Sequence, residues 1–288
     1  MKKLSDHFNL RKSLIYFLQE DLGTGDITSE SLENTNKPVT ATIIFKSDFI
    51  GIVCGIEEVQ ELFDICNCSS TPYMLDGTKI RPKANIMEIN GAAKDVLKAE
   101  RIALNLLMRM SGIATATRKF VDIVHQIDPQ ISIASTRKTA PGLRLFDKKA
   151  VVIGGGISHR IRLDDMVLIK DNHIAVDKSI RKLIPLIREK VGSSIKIECE
   201  VKNEQEAIEA IEAGANIIML DNFSILEAKN TLVKLIDEGL RNLVKIEVSG
   251  GVTLDNIVNY AQLKPDIISI GYLTHSAPSL DFSLKIID

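Results

Sequence analysis

The sequence predicts an α/β protein in two parts, an α+β N-terminal part followed by a barrel of TIM type. Three observations carry this. From residue 131 onward, short β-branched runs alternate with amphipathic helical runs over short links, the pattern of parallel βα units. Six such strands occur in one consecutive series. No glycine-rich dinucleotide turn comes after the first of them, which favours a barrel, complete or lacking staves, over a doubly wound sheet.

In the first part, Phe8, Leu10, Leu14, Ile15, Phe17 and Leu18 recur at helical spacing over residues 8–20. The next segment, EDLGTGDITS, is an acidic turn in which Thr28 or Ser29 can cap the next element. Residues 39–55 are rich in β-branched and aromatic side chains and predict strands joined near 46–48. Residues 57–65 predict a helix, and 66–90 short strands and turns, with Asp76-Gly77 a turn and 86–89 a strand. Residues 92–110 carry a broad apolar stripe of Val96, Leu97, Ala99, Ile102, Ala103, Leu106, Leu107 and Met110. Ser111-Gly112 should break that helix, and 113–126 should form a second one.

The barrel strands are expected at 131–134, 166–169, 195–201, 216–220, 244–248 and 267–270, with helices at 143–153, 179–191, 204–213, 224–238 and 254–261. The residues at the strand ends are informative. Thr136, Arg137 and Lys138 come after the first strand, and Lys170 with Asp171-Asn172-His173 after the second. Glu198 and Glu200 end the third, and Asp221-Asn222 the fourth. Ser249-Gly250-Gly251 ends the fifth, and Gly271 the sixth. In a barrel these positions converge on one rim, where active sites of this architecture lie. A charged residue or glycine after all six strands is hard to obtain by chance.

Composition bounds the ligand. The chain has 288 residues and a formal net charge of −2, so no global basic field favours nucleic acid. Within it, residues 135–174 concentrate Arg137, Lys138, Arg144, Lys148, Lys149, Arg160, Arg162 and Lys170, with His159, His173 and three consecutive glycines. Local basicity in a near-neutral chain points to a small ligand bearing several negative charges, gripped by Arg forks and Lys ammonium groups. A basic surface loop is the plainer alternative. Residues 1–23 lack a signal-type apolar segment, and no run approaches membrane-spanning length. Cys54, Cys66, Cys68 and Cys199 have neither CxxC nor zinc spacing, so reduced thiols in the cytoplasm are expected.

Chemistry suggests roles for these residues. Glycines at 250, 251 and 271 let backbone N–H groups approach a phosphate. Arg137, Lys138, His159, Arg160 and Lys170 make a second anionic pocket. Glu200 and Asp221 are not needed for anions; they suit ribose hydroxyls, Mg²⁺ or positive charge developing at a sugar carbon. Phosphate, a further polyanion and paired carboxylates together point to phosphoribosyl chemistry.

Longer motifs carry a resemblance. ASTRKTAPGLR (134–144), GGGISHRIRLDDMVLIKDNHI (154–174), ECEVKN (198–203), IIMLDNFS (217–224), EVSGGV (247–252) and ISIGYLTHSAPSLDFSL (268–284) resemble the quinolinate phosphoribosyltransferases, the carboxylating nicotinate-nucleotide pyrophosphorylases. EDLGTGDITS (20–29) and AERIALNLLMRMSGIAT (99–115) match the same family's first domain. The resemblance covers nearly the whole chain. It implies an N-terminal α/β sandwich over 1–111, completed by 273–288, and an incomplete α/β barrel over 112–272. It implies a cytoplasmic pentosyltransferase of NAD synthesis that joins quinolinate to phosphoribosyl pyrophosphate with Mg²⁺, releasing pyrophosphate and CO₂. It assigns Arg137, His159, Arg160 and Lys170 to quinolinate's carboxylates, and Lys138 and Lys170 to the pyrophosphate end. Thr136 belongs to the same substrate-binding loop. Glu200 and Asp221 face the ribose, where they are the candidate protein ligands of a metal held mainly by substrate. Ser249, Gly250, Gly251, Ile270, Gly271 and Tyr272 take phosphate. Lys138, Lys170, Glu200 and Asp221 are the expected catalytic residues.

By its own pattern Arg101 reads as a solvated helix charge; the resemblance makes it a residue given across a homodimer interface to the partner's site. Four departures stand out, among them Ser135 where the family usually has Asp, Ser158 for a common Asn, and Arg162 for a common Gly. Lys264-Pro265 likewise replaces a usual Gly-Val. Three alternatives stay open: a relative of different specificity like those of molybdate-transport operons, a Schiff-base lyase on Lys170, and a non-catalytic phosphate-ligand sensor.

Overall fold

The computed structural model describes residues 9–177 and 179–287. The chain divides into two compact units, Met1–Ala116 with Ala277–Asp288, and Thr117–Ser276.

In the first unit, α1 (Leu10–Leu22) is capped by Asn9, whose side chain accepts the Lys12 N–H, and it buries Leu14 and Leu18. Asp26 caps the short α2 (Ile27–Glu30). Strands β1 (Pro38–Phe45), β3 (Ser69–Pro72), β5 (Asn85–Ala92) and the final strand, Phe282–Ile287, form an antiparallel sheet with the final strand beside β1, then β5, then β3. Helix α3 (Ile56–Ile65) packs its Val59, Leu62 and Phe63 into the core. The expected pairing across 46–48 does not occur: β2 (Gly51–Ile52) leaves β1 and pairs with β4 (Lys79–Ile80). The cause is visible in Ile52, whose N–H is taken by Thr115 Oγ1 at 2.8 Å.

Helix α4 corrects another expectation. It runs unbroken from Ala93 to His125, straight through Ser111-Gly112. Ser111 does not break it, because its hydroxyl accepts the Cys54 N–H at 3.0 Å and donates to the Cys54 carbonyl at 3.2 Å. Gly112 is a packing residue: a Cβ there would stand 2.2 Å from the Pro278 carbonyl oxygen. Arg101 is exposed on this helix.

The second unit is an incomplete α/β barrel. Its parallel strands are β6 (Ser132–Ala134), β7 (Val167–Ile169), β8 (Ile197–Val201), β9 (Ile217–Asp221), β10 (Lys245–Ser249) and β11 (Ile267–Ser269), in the order β6-β11-β10-β9-β8-β7. Among the described residues, no ladder joins β6 to β7. Ile157 instead lies along the outer edge of β6, donating to Ile133 O at 2.8 Å and accepting from Ser135 N at 3.1 Å. Helices α5 (Arg144–Ile153), α7 (Ile180–Val191), α8 (Glu204–Glu212), α9 (Ile225–Asp237) and α10 (Ile257–Gln262) keep the expected rhythm. Two helices escape the periodicity, α6 (Asp171–Asp177) directly after β7 and α11 (Tyr272–His275) directly after β11. Both are short, and the apolar residues of α6, Ile174-Ala175-Val176, are consecutive rather than at helical spacing. Capping is explicit at α9, where Ser224 and Glu227 form a reciprocal box.

Successive strand residues face opposite ways. Ile197, Cys199, Val201, Ile218, Leu220 and Ile246 face outward and bury against Leu183, Ile184, Ala207, Leu232 and Leu235 of the helices. The other set, Leu168, Glu198, Met219, Glu247 and Ser269, faces inward. The barrel interior is therefore partly polar and charged, and it is this face that builds the site.

Gly112→Ala is expected to destabilise the protein by about 1–3 kcal/mol, because overpacking against the Pro278 carbonyl outweighs the roughly 1 kcal/mol that Ala gains over Gly in a helix. Urea unfolding measures this; a variant more stable than the parent would show Gly112 to be an ordinary helix position.

Candidate active site

A cavity of about 340 Å³ opens at the carboxyl ends of the barrel strands. Its walls include Thr136, Arg137, Lys138, His159, Arg160, Lys170, Asp221 and Ser249. These eight are all expected from the sequence, and the barrel's strand ends and the loops beside them deliver them to one place. Glu200 stands next to the cavity, its Oε2 held by Lys170 Nζ at 2.7 Å. Asp221 Oδ2 accepts from Asn222 Nδ2 at 2.6 Å.

The glycines act through the backbone. Gly250 and Gly251 have φ of 93° and 60°, the left-handed region. A Cβ on Gly250 would sit 2.3 Å from Asn222 Oδ1, so two neighbouring strand-end loops touch because this residue has no side chain. Gly271 is packed against His275 and the Lys138 side chain. Thr274 Oγ1 donates to the Lys138 carbonyl at 2.8 Å, tying α11 to the basic loop after β6. Ile270 is buried, and Tyr272 is half-exposed with its ring edge-on to Phe120.

The cations are held in a way that leaves donors for a ligand. Arg160 is only 9% exposed, and burial draws its pKa below the ordinary guanidinium value. Arg137 Nε is buried and, among the described residues, has no hydrogen-bond partner. A buried, unpaired N–H is costly unless something binds it. Arg137 lines the cavity, where a bound ligand would supply that partner.

Sequence reasoning brings His159 to the site but gives no role to Glu198, Glu247 and Ser269, which form its floor. His159 Nε2 lies 3.1 Å from Glu247 Oε2 and 3.2 Å from Glu198 Oε2, and both carboxylates are fully buried. Ser269 Oγ donates a short 2.5 Å bond to Glu247 Oε1. His159 itself is held at φ 51°, with its Nδ1 accepting the Arg160 backbone N–H at 2.8 Å. Burial alone would lower the His159 pKa, but the two carboxylates outweigh it and lift it to about 9. Burial also raises Glu198. Nδ1 faces the Arg160 amide, so Nε2 is the nitrogen that meets the two carboxylates. The signal that could have found these residues is the strand period of two: Glu198, Glu247 and Ser269 each stand two positions before an expected site residue, Glu200, Ser249 and Gly271.

The same trio is the one group among the described residues close enough to share a metal ion. It does not suit Mg²⁺, which takes oxygen ligands and keeps several waters. Glu200 and Asp221 at the rim fit better, since one or two carboxylates completed by substrate phosphates is the usual Mg²⁺ arrangement.

Comparison with known proteins decides the family. Models of the N- and C-terminal domains of quinolinate phosphoribosyl transferase match residues 26–111 and 113–285. The chain belongs to the quinolinate phosphoribosyltransferase family. It is 44% identical over 281 residues to a probable nicotinate-nucleotide pyrophosphorylase (carboxylating) of Methanocaldococcus jannaschii, covering 96% of each chain. It is 43% identical over 263 residues to the corresponding protein of Archaeoglobus fulgidus, covering 91% of this chain and 98% of that one. Among solved structures, the nicotinate-nucleotide pyrophosphorylase of Ehrlichia chaffeensis superimposes with a TM-score of 0.89 at 36% identity, over 98% of this chain and 100% of that one. The Francisella tularensis enzyme gives 0.88 at 35% identity over 96% of each. Among the described residues, no helix is long and apolar enough to cross a membrane.

Glu247→Leu is expected to cost roughly 2–5 kcal/mol, since it strands the buried Ser269 hydroxyl without its acceptor and leaves His159 Nε2 with Glu198 alone. Chemical unfolding reads this directly; a loss below about 1 kcal/mol would mean that the trio contributes little to the fold.

Proposed function

We propose that the strand-end cavity is where this chain joins quinolinate to phosphoribosyl pyrophosphate. The reaction is that of its family: phosphoribosyl transfer with decarboxylation, giving nicotinate mononucleotide, pyrophosphate and CO₂ in NAD synthesis. The observation that supports this location is the convergence of Arg137, Lys138, Arg160 and Lys170 on one cavity, with the buried Arg137 Nε unpartnered among the described residues.

Quinolinate is a dianion and the phosphoribosyl donor is more negative still. Bringing them together costs electrostatic energy that a dense cationic wall must offset. In our reading Arg137 and Arg160 fork the quinolinate carboxylates, and Lys170 reaches both substrates. Lys138 faces the leaving pyrophosphate. His159 has both ring nitrogens engaged, so it serves the site by fixing the Arg160 backbone rather than by donating to the substrate. Ser249, Gly250 and Gly251, with Ile270, Gly271 and Tyr272, form the phosphate end, and Thr136 closes the loop beside it.

The pyridine nitrogen attacks C1′ of the ribose as pyrophosphate departs. Positive charge develops at C1′, where Glu200 and Asp221 stabilise it. The ring becomes a pyridinium, an electron sink that lets the adjacent carboxylate leave as CO₂. No cysteine or serine nucleophile is required. When bound, Mg²⁺ supplies charge neutralisation for the diphosphate, with Glu200 and Asp221 as its protein ligands. We further propose a cytoplasmic homodimer with shared sites, in which the exposed Arg101 serves the cavity of the partner copy.

Purified protein with quinolinate, phosphoribosyl pyrophosphate and Mg²⁺ should release CO₂ and nicotinate mononucleotide. Asp221→Ala and Lys138→Ala should each lower kcat by about 100-fold or more while the circular dichroism spectrum stays that of the parent. Parent-like rates in either variant would remove the assignment of that residue.

A further inference from the structure

Behind the cavity, outside its wall, lies Lys148 of α5. It is 1% exposed, yet it carries an ammonium group. Its Nζ donates to the Ser158 carbonyl oxygen and to Ser135 Oγ, the latter at 3.2 Å. The Ser135 hydroxyl in turn donates to the same Ser158 carbonyl at 2.9 Å. All these partners are neutral oxygens. Among the described residues no carboxylate pairs with Lys148. Asp165, whose charge reaches it, commits its Oδ2 to the backbone N–H groups of Ile161 and Arg162 at 2.7 and 2.9 Å.

A buried charge normally has a counter-charge. This one faces more cations: Arg144 of its own helix, Arg137 after β6 and Arg160 after the Ile157 bridge all repel it. The triangle of Lys148, Ser135 and Ser158 also staples the two loops that carry Arg137 and Arg160. A cation kept unpaired at that position adds to the potential of the cavity that Ser135 lines.

We propose that Lys148 is a specificity-determining residue of the anion site, a buried ammonium that strengthens binding of the dicarboxylate substrate from behind the loops it staples. This rests on the quinolinate reading of the cavity.

The proposal carries a pH signature. Burial, reinforced by the three arginines, draws the Lys148 pKa down to about 8. Its charge is present below that pH and lost above it, so affinity for a dianion should fall as pH rises through about 8. The bound dianion in turn favours the charged form.

The test is the KM for quinolinate between about pH 6.5 and 9.5, at saturating phosphoribosyl pyrophosphate and Mg²⁺, for the full chain and two variants. For the parent, kcat/KM for quinolinate should fall by up to about tenfold through pH 8–9, with kcat changing far less. Lys148→Met should be lower by about tenfold at pH 7 and should lose the step near pH 8. Ser135→Asp keeps the ammonium and gives it a carboxylate. It should also weaken quinolinate binding and move the step above the tested range, and it decides the matter where Lys148→Met does not fold. An unchanged step and unchanged quinolinate KM in the folded variant would overturn the proposal while leaving the quinolinate reading standing. A parent chain that does not turn over quinolinate at any pH would remove that reading, and this inference with it.

Discussion

Repulsion between like charges is the constraint on which this structure turns. In the proposed reaction two anionic substrates share one cavity, so the cavity must be cationic, and the cations then repel each other. The fold meets this by rigidity. Arg137, Lys138 and Arg160 sit on loops whose backbones are pinned by Thr274, the Ile157 bridge and the Lys148–Ser135–Ser158 triangle. Beneath them, two buried carboxylates on β8 and β10 hold His159. A cluster of like charges in a flexible loop would relax outward into water. Here the barrel strands set the positions, and water-exposed freedom is small for Arg160 at 9% exposure.

The division of each strand into two faces explains much of the rest. Outward residues such as Ile218 and Leu220 bury against helices and supply stability. Inward residues are free to be polar because they face a cavity rather than a close-packed core. Glu198 and Cys199 are adjacent in the chain and both fully buried, yet they belong to different chemistry. A single-residue shift in register would exchange the two sets, moving carboxylates into the apolar layer. Parallel pairing along the length of β8, β9 and β10 fixes that register.

Much of this is legible in the sequence, because the barrel announces itself through repetition. Six β-branched runs ending in charged residues or glycines identify the rim, and that pattern alone places Arg137, Lys170 and Asp221. The strand positions deeper in the barrel are harder to read. Glu247 and Ser269 precede the rim by two residues, and nothing local distinguishes an inward Glu from a solvent-facing one. Ser111-Gly112 misleads for a related reason. Propensity reads glycine as a breaker, whereas here tertiary contact with Pro278 demands a residue with no side chain. Lys148 is the same lesson in reverse: the sequence counts it among the basic residues of 135–174, and only its burial sets it apart from them.

The final strand has a temporal meaning. Residues 282–287 pair with β1 near the other end of the chain, from Phe45↔Phe282 to Thr40↔Ile287. On the ribosome, β1 emerges long before its neighbour exists. Its outer edge stays open while roughly 240 residues are translated, a wait on the order of ten seconds or more at ordinary elongation rates. The barrel, whose strands all lie between, is complete first. An exposed, β-branched edge held open for that long is the kind of surface that chaperones shield and that aggregation exploits.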